Sequence, residues 1–222
     1  MENLLFPIEN SLYHLMNFIK IYVGSYGFAI VSLSLIVTVF LFPFKYLLKL
    51  LSAKPNKIMN DMKPFIEKIN ALDIPKSKKA VMRDSLYKHF KYSPLYVFIN
   101  LLPLLIQLPF LISMYYMIIH NAAELEGQSF LFVADISLSD GILFGVNLLP
   151  IMMTVINILA ALIMPDAGKK EIIQSFSLAF VFMILLYNVP AAAVIYWTAN
   201  NIIILVTYLF LRFWRKKNEK PA

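Results

Sequence analysis

Several long stretches of this sequence contain no Lys, Arg, Asp or Glu, and the basic residues are concentrated between two of them. Residues 21–44, 92–123 and 172–211 carry no such charge. Residues 45–94 hold twelve of the 20 Lys and Arg side chains and only four acids. A basic segment between two membrane-spanning runs stays on the cytoplasmic side, because Lys and Arg resist translocation. The charge pattern therefore predicts an integral membrane protein and fixes its orientation.

The composition supports this class. The 222 residues are 60% hydrophobic, with a mean hydropathy of +0.71, whereas a soluble domain is about 45–50% apolar. The net charge is +7, and the basic residues are expected to contact anionic lipid headgroups, a ribosome or a nascent chain. We expect no specific direct binding of nucleic acid. The sequence has no Cys, which excludes disulfides and thiolate metal sites.

The apolar runs divide into five predicted transmembrane helices. A helix needs about 20 residues to cross about 30 Å of hydrocarbon. Residues 172–211 would extend about 60 Å as one helix, so they must contain two spans, with a turn at Asn188-Val189-Pro190. The predicted fold class is an all-α integral membrane protein whose spans are residues 28–44, 95–119, 142–164, 172–187 and 192–211.

The remaining segments complete the predicted topology. Residues 1–23 lack the basic start of a signal peptide. They have Leu12, Leu15, Met16 and Ile19 at helical spacing, as in an amphipathic helix at the extracytoplasmic surface. Residues 45–94 predict two amphipathic helices joined near Pro75, which is an antiparallel helical hairpin in the cytoplasm. The other predicted segments are an acidic extracytoplasmic loop (120–140), a cytoplasmic turn (165–171) and a basic cytoplasmic tail (212–222).

Uncharged polar residues recur at helical spacing inside the predicted spans. These polar stripes are Ser34 with Thr38 and, on the same face, Lys45; Asn100 with Gln107; Asn147 with Thr154 and Asn157; and the block YWTANN at Tyr196–Asn201. A hydrogen bond to a neighbouring helix, which contributes about 0.6 kcal/mol to stability, is enough to explain any one of these polar residues. Four helices with one stripe each favour a shared hydrated cavity. Its predicted lining is Ser34, Thr38, Asn100, Gln107, Thr154, Asn157, Trp197, Asn200 and Asn201.

No arrangement of residues predicts catalysis. All acids fall in loops or tails, so no carboxylate inside a span offers a proton relay. His14, His89 and His120 lie in different segments without metal-ligand spacing. The sequence has no glycine-rich phosphate loop and no nucleophile motif. We therefore expect neither enzymatic activity nor a metal or other cofactor.

Five blocks of the sequence resemble consecutive blocks of the YidC/Oxa/Alb family of membrane-protein insertases. They are GSYGFAIVSLSLIVTVFLFPF, KYSPLYVFINLLPLLIQLPFLISMYYMI, FLFVADISLSDGIL, LLPIMMTV and NVPAAAVIYWTANNIIILVTYLFLRF. Their order and spacing match across roughly residues 5–213. The resemblance implies a five-helix core in the bacterial plasma membrane, with the N-terminus outside and the C-terminus in the cytoplasm. It also implies a polar groove that passes client segments into lipid without nucleotide hydrolysis.

The resemblance also implies partners. They are newly made membrane proteins and the lipid bilayer, with the ribosome and the Sec translocon as further candidates. The basic residues predicted to bind partners are Lys76, Lys78, Lys79, Arg215, Lys216 and Lys217.

Two positions depart from the family pattern. Thr38 stands where the family typically places an Arg in the first span, and Ala160 falls near a position where Gln is frequent. Trp197 matches the family's Trp in the last span. The resemblance therefore implies a groove that is polar but not cationic, which lacks one attraction for acidic client tails.

Two other function classes remain open at this point. One is a folding or assembly factor for a particular membrane complex that translocates no tails. The other is a small-solute transporter, which is disfavoured because the sequence shows no intramembrane ion pair and no matching halves.

The topology can be tested by cysteine labelling, since the chain has no native Cys. We expect a Cys at Ser77, in the predicted cytoplasmic hairpin, to be protected from an impermeant thiol reagent added outside. A Cys at Ser129, in the predicted extracytoplasmic segment 120–140, is the matched control and should react. Labelling of the Ser77 variant from outside would contradict the predicted orientation.

Overall fold

The described part of the chain is helical. The computed structural model describes residues 2–93, 95–99, 102–142, 144–165 and 169–218. Within these ranges the only β structure is an isolated bridge between Phe130 and Val133, so the predicted all-α class is confirmed there. The helices are α1 (Glu2–Val23), α2 (Tyr26–Ala71), α3 (Lys76–His89), α4 (Tyr96–Ile99), α5 (Leu102–His120), α6 (Ala122–Leu125), α7 (Leu148–Ile163), α8 (Lys169–Leu186) and α9 (Ala191–Asn218).

Two helical segments are long and apolar enough to cross a membrane. Tyr26–Leu48 has a mean hydropathy of 2.3 and Ala191–Arg215 has one of 1.7. The 23 residues of the first segment extend about 35 Å, comparable to the hydrocarbon thickness. Three shorter apolar helices overlap the other predicted spans, and these are Leu105–His120, Leu148–Ile163 and Ile172–Leu186.

The helix α2 covers both the first predicted span and the first predicted arm of the hairpin. It contains Pro43, Pro55 and Pro64. Each proline removes one backbone donor, but the flanking turns keep their own hydrogen bonds. By its contacts the chain divides into two compact units. We call Met1–Val39 with Pro109–Ala222 the core unit, and Phe40–Leu108 the hairpin unit.

Within the hairpin unit, the end of α2 is fastened to α3 by basic side chains. Lys79 Nζ donates to the carbonyl of Asn70 at 2.8 Å, and Arg83 donates to the side-chain oxygen of the same residue. The rings of Phe65 and Phe90 lie 5.8 Å apart. Lys79 thus satisfies one of the last carbonyls of α2, as expected of a basic side chain at a helix C-terminus.

The first half of α9 is the most deeply buried part of the core unit. Residues 191–197 and 199–201 are all buried. The helix α7 packs against both α9 and α8. Three alanines, Ala191–Ala193, begin α9, and their small side chains permit close approach of neighbouring backbones.

The loop between α6 and α7, which we call the acidic loop (residues 126–147), completes the start of α9. The N–H groups of Ala191 and Ala192 donate to the carbonyls of Leu138 and Ile136, at 2.7 and 2.9 Å. The Asp135 carboxylate organises the loop by accepting hydrogen bonds from Gly127 N and from the backbone and hydroxyl of Ser137. These bonds, the Ser137 hydroxyl first, hold the pKa of Asp135 below its ordinary value. The loop thus satisfies donors that begin a buried helix.

The helix α1 is attached to the core unit through both its apolar and its polar faces. Leu12 and Met16, two of the residues predicted to lie on the membrane surface, are instead buried against the protein. The apolar side chains that α1 leaves exposed include Phe18, Ile21 and Tyr22.

Two carboxylates fix α1 to the chain near the end of α5. The Glu9 carboxylate lies 2.6 Å from His120 Nδ1. The Glu124 carboxylate accepts hydrogen bonds from the hydroxyls of Tyr13 at 2.6 Å and Tyr26 at 3.2 Å.

Two glycines make the connection from α1 to α2 possible. Gly24 has a φ of +72°, which ends α1 in the left-handed region that glycine adopts without strain. At Gly27 a Cβ atom would lie 2.0 Å from the Phe130 ring. The start of α2 therefore packs directly on the acidic loop.

The helix α7 is capped by an acid of the same loop. Asp140 Oδ2 accepts from the backbone N–H groups of Leu148 and Leu149, at 2.5 and 3.1 Å. Asn147 accepts from Gly141 N at 2.9 Å and donates to the carbonyl of Tyr187 at 2.7 Å. Asn147 therefore precedes α7 and ties the loop to the end of α8, rather than continuing the polar stripe of Thr154.

We predict that Asp140→Ala lowers the free energy of unfolding by about 1 kcal/mol, because the first turn of α7 loses its cap. Unfolding of the purified protein in detergent measures the change. Glu126→Ala, which removes an exposed acid of the same loop, is the matched control and should be nearly neutral. If both substitutions lowered the free energy of unfolding equally, the decrease would come from the removal of a negative charge in the loop and not from the loss of the cap on α7.

Candidate functional site

The described residues of the predicted groove lie on four helices. Ser34 and Thr38 are on α2, Gln107 is on α5, Thr154 and Asn157 are on α7, and Trp197, Asn200 and Asn201 are on α9. Asn100 lies outside the described residues. Gln107 belongs to the hairpin unit, and the others belong to the core unit.

The helices α2 and α9 meet through a polar contact. Thr38 Oγ1 lies 2.7 Å from the carbonyl of Ser34 and 2.9 Å from Asn200 Oδ1. The first contact is the expected bond to a carbonyl one turn back on the same helix. A hydroxyl has one hydrogen, so both contacts are satisfied when the Asn200 amide turns its nitrogen toward Thr38. The Thr38 hydroxyl is then fully used inside the protein.

Three predicted residues share one face of α9. Helical geometry places Trp197, Asn200 and Asn201 within an arc of about 100°. Their relative exposures are 4%, 4% and 5%. Trp197 stacks on Phe182 of α8, with 4.6 Å between the ring centroids. The polar face of α9 is therefore enclosed by α2 on one side and α8 on the other.

The polar residues of α7 differ from each other in exposure. Thr154 is buried, and its hydroxyl donates to the carbonyl of Pro150 at 2.8 Å. Asn157, one turn further along, is partly exposed. Since α7 packs on α9, these residues contribute polar groups to the same bundle.

Several buried polar atoms of this bundle have no protein partner. They are Ser34 Oγ, Trp197 Nε1, Thr198 Oγ1 and Asn201 Nδ2. Thr198 was not among the predicted site residues, although it lies inside the YWTANN block. Each of these unpaired groups is uncharged and can donate a hydrogen bond.

The hairpin unit contains a second polar contact, which the predicted site missed. Lys45 Nζ donates to Gln107 Oε1 at 2.7 Å, and Gln107 is buried. The spacing of Lys45 from Thr38 indicated a common helix face, but its charge suggested only the end of a span. The contact places a cation next to a predicted groove residue.

The residues predicted to bind partners have different surroundings. Lys76, Lys78 and Arg215 are exposed. Lys79 is partly exposed and is bonded to the carbonyl of Asn70, so it stabilises the end of α2. The side chains of Lys216 and Lys217 lie outside the described residues. Among the residues that the structure describes, no group of three or more His, Asp or Glu side chains could hold a metal.

Comparisons with known proteins identify similar chains. A model of the family described as 60Kd inner membrane protein matches residues 18–219. The membrane protein insertase YidC of Treponema denticola is 30% identical over 231 residues, which cover 95% of this chain and 38% of that protein. The YidC insertase of Campylobacter jejuni is 29% identical, and the match covers 97% of this chain and 39% of that protein. The YidC insertase of Aquifex aeolicus is 28% identical, and the match covers 96% of this chain and 40% of that protein.

A solved structure has the same fold. It is the crystal structure of an active YidC insertase with its first transmembrane domain resolved. The TM-score is 0.63 at 23% identity, and the match covers 93% of this chain and 46% of that chain. The chain spans less than half the length of these curated relatives.

We predict that the contact between Thr38 and Asn200 contributes measurably to stability. In a double-mutant cycle of Thr38→Val and Asn200→Leu, we expect a coupling of about 0.6–1.7 kcal/mol, the range for hydrogen bonds between helices in a bilayer. The free energy of unfolding in detergent gives this coupling. Thr207→Val, whose hydroxyl is exposed and bonds Ile203 O, should combine additively with Thr38→Val. Additivity of the first pair would exclude a functional bond between the two helices.

Proposed function

Because the chain belongs to the 60Kd inner membrane protein family, the family of the YidC insertases, we propose that it is a membrane-protein insertase. It passes client transmembrane segments from the cytoplasm into the bilayer through a polar intramembrane groove, and it uses no nucleotide. Its clients are newly made membrane proteins, and the ribosome and the Sec translocon are candidate partners through the basic residues of the hairpin and of the C-terminal tail.

The proposed topology has five membrane-spanning helices. Their centres are the apolar segments of α2, α5, α7, α8 and α9. The basic hairpin and the tail lie in the cytoplasm, and α1 and the acidic loop lie outside. The distribution of charge supports this arrangement. The acidic loop has no Lys or Arg, whereas the hairpin carries most of the Lys and Arg residues of the chain.

The observation that carries the proposal is the neutral polar cluster between α2 and α9. Polar groups inside apolar helices are costly and commonly functional. Thr38 and Asn200 bond each other, and further donors beside them have no protein acceptor. A polar segment of a client that enters this region exchanges hydrogen bonds with water for hydrogen bonds with the protein, which lowers the barrier to crossing.

One observation supports a second candidate, an assembly factor that translocates no tails. The hairpin unit has a shallow, open apolar depression of about 410 Å³ on its surface. Its lining includes Phe65, Leu72, Val81 and Met82, each of them exposed. Such a surface suits an apolar partner segment held at the membrane surface. In this alternative the basic hairpin binds a folding membrane protein and the polar cluster is structural.

A reconstituted insertion assay tests the proposal. A single-span client with a short, neutral N-terminal tail is added to liposomes that contain the purified protein, and tail protection from protease is measured. In the absence of nucleotide, we expect the protein to insert the client well above the level in empty liposomes. Asn200→Leu should reduce this insertion about tenfold, as expected for the loss of one hydrogen bond. Thr207→Val, on the exposed side of the same helix, should insert normally. Equal insertion into empty liposomes would reject the proposal.

The same assay tests whether the cluster selects neutral tails. A buried Arg attracts a carboxylate far more strongly than a hydroxyl does, because the local dielectric is low. We expect the native protein to prefer a neutral tail over a matched acidic tail, and Thr38→Arg to raise insertion of the acidic tail. Thr38→Met controls for side-chain size. A native preference for acidic tails that Thr38→Arg leaves unchanged would locate charge recognition in the basic hairpin instead.

A further inference from the structure

The acidic loop holds two bulky apolar residues in a backbone conformation that favours glycine. Leu131 and Phe144 both have a φ of +51°, where the Cβ atom of a bulky side chain crowds the backbone. Leu131 lies in a tight turn that is closed by two backbone hydrogen bonds between Phe130 and Val133, and glycine, asparagine or aspartate is usual in such turns. Unfavourable conformations of this kind persist mostly at functional positions.

The same two side chains are also exposed. Leu131 has a relative exposure of 75%, and Phe144 is fully exposed. Phe132, which follows Leu131 in the turn, and Leu138 are exposed as well. Exposure of large apolar side chains to water is unfavourable, so Leu131 and Phe144 would each carry two costs if water surrounded the loop. Contact with an apolar phase would remove the second cost.

The loop lies beside the first turns of two apolar helices that are long enough to cross a membrane. The ring of Phe130 lies 5.2 Å from the ring of Phe28, in the first turn of the apolar segment of α2. The N–H group of Ala191, where the apolar segment of α9 begins, donates to the carbonyl of Leu138 at 2.7 Å. Both segments therefore start at the level of the acidic loop, which places the loop at one surface of the membrane that they cross.

The backbone and the charges of the loop are compatible with contact to lipid. Phe130 and Val133 bond each other's backbone groups, as is required where water is scarce. The carboxylates of Asp135 and Asp140 accept hydrogen bonds from backbone N–H groups, so both are bonded within the protein. The loop has no Lys or Arg and thus no cation for anionic headgroups. What it offers to a lipid surface is apolar.

We propose that Leu131, Phe132, Leu138 and Phe144 enter the adjacent lipid leaflet, so that the acidic loop anchors the starts of α2 and α9 at the membrane surface. The partner is the acyl-chain region of phospholipids, whatever their headgroups, because apolar area alone drives the contact. Lipid matches better than a protein partner, since these residues adjoin the points where two apolar helices begin. The inference depends on α2 and α9 crossing the membrane and is independent of insertase activity.

Spin labels on single cysteines test the anchor, since the chain has no native Cys. Each labelled protein is reconstituted in phosphatidylcholine liposomes at a low protein-to-lipid ratio. Collision of the label with oxygen, which concentrates in hydrocarbon, is compared with collision with a water-soluble nickel chelate. We expect oxygen to dominate at every apolar position of the proposal, and no client is needed for the measurement. The labelled variants are Leu131→Cys, Phe132→Cys, Leu138→Cys and Phe144→Cys.

Two further positions set the scale. Glu126→Cys replaces an exposed acid of the same loop and should be reached mainly by the nickel chelate. Val206→Cys, at an exposed position in the apolar segment of α9, should be reached mainly by oxygen. If nickel reached the apolar loop positions as it reaches Glu126→Cys, the loop would be aqueous and the proposal wrong. Shielding from both reagents that disappears on dilution in lipid would show that a second copy covers the loop, which also overturns the proposal.

Substitution of both left-handed residues separates lipid contact from the folding of the loop. Asparagine tolerates the left-handed conformation but is polar, so Leu131→Asn with Phe144→Asn keeps the turns and removes apolar surface. A label at Phe132→Cys should then become several-fold more accessible to nickel. In the matched control, Leu131→Met with Phe144→Leu, the label should remain in the lipid. An unchanged label in the asparagine variant would overturn the proposal.

The lipid composition tests what drives the contact. Because the loop has no Lys or Arg, the addition of anionic phosphatidylglycerol to the liposomes should not move the label at Phe132→Cys deeper into the bilayer. A label that leaves water only when anionic lipid is present would show that charge attraction holds the loop at the membrane, and it would overturn the proposal of an apolar anchor.

Discussion

The core unit depends on one constraint, which is that polar groups on apolar helices must find partners within the protein. The hydroxyls of Thr38 and Thr154 use carbonyls of their own helices. Asn200 uses Thr38 and thereby joins α9 to α2. Charged groups are placed differently, since the acids Asp135 and Asp140 organise the acidic loop. The polar side chains that pair within the helices of the core unit are thus uncharged. Its carboxylates instead order the loop that connects two helices.

Helical periodicity predicted a large part of this arrangement. The spacing of Trp197, Asn200 and Asn201 indicated one face of a helix, and the structure encloses that face between α2 and α8. The spacing of Ser34 and Thr38 likewise indicated a single polar face of α2. Periodicity works here because it depends on local geometry alone. It could not identify the pair Thr38 and Asn200, because that pairing depends on which helices become neighbours.

Other residues show where sequence patterns were insufficient. Asn147 continued a spacing of seven residues before Thr154, but α7 begins at Leu148, and Asn147 instead bonds the acidic loop and Tyr187 O. Lys79 was predicted to bind partners from its charge alone, and the charge did not predict its contact with the carbonyl of Asn70. Lys45 was taken as the end of a span, yet it donates to Gln107. In each case the residue type was informative, but its partner depends on how the chain folds back on itself, which the spacing of polar residues does not encode.

The bonds at the start of α9 have a consequence for the order in which this protein assembles. The first N–H groups of α9 are satisfied by the carbonyls of Ile136 and Leu138, and these carbonyls are in place only when the acidic loop has folded. The helix α9 also follows the acidic loop in the order of the chain. Its first turn therefore closes onto a loop that precedes it in the chain, so the start of this buried helix completes its hydrogen bonds only after the loop has folded.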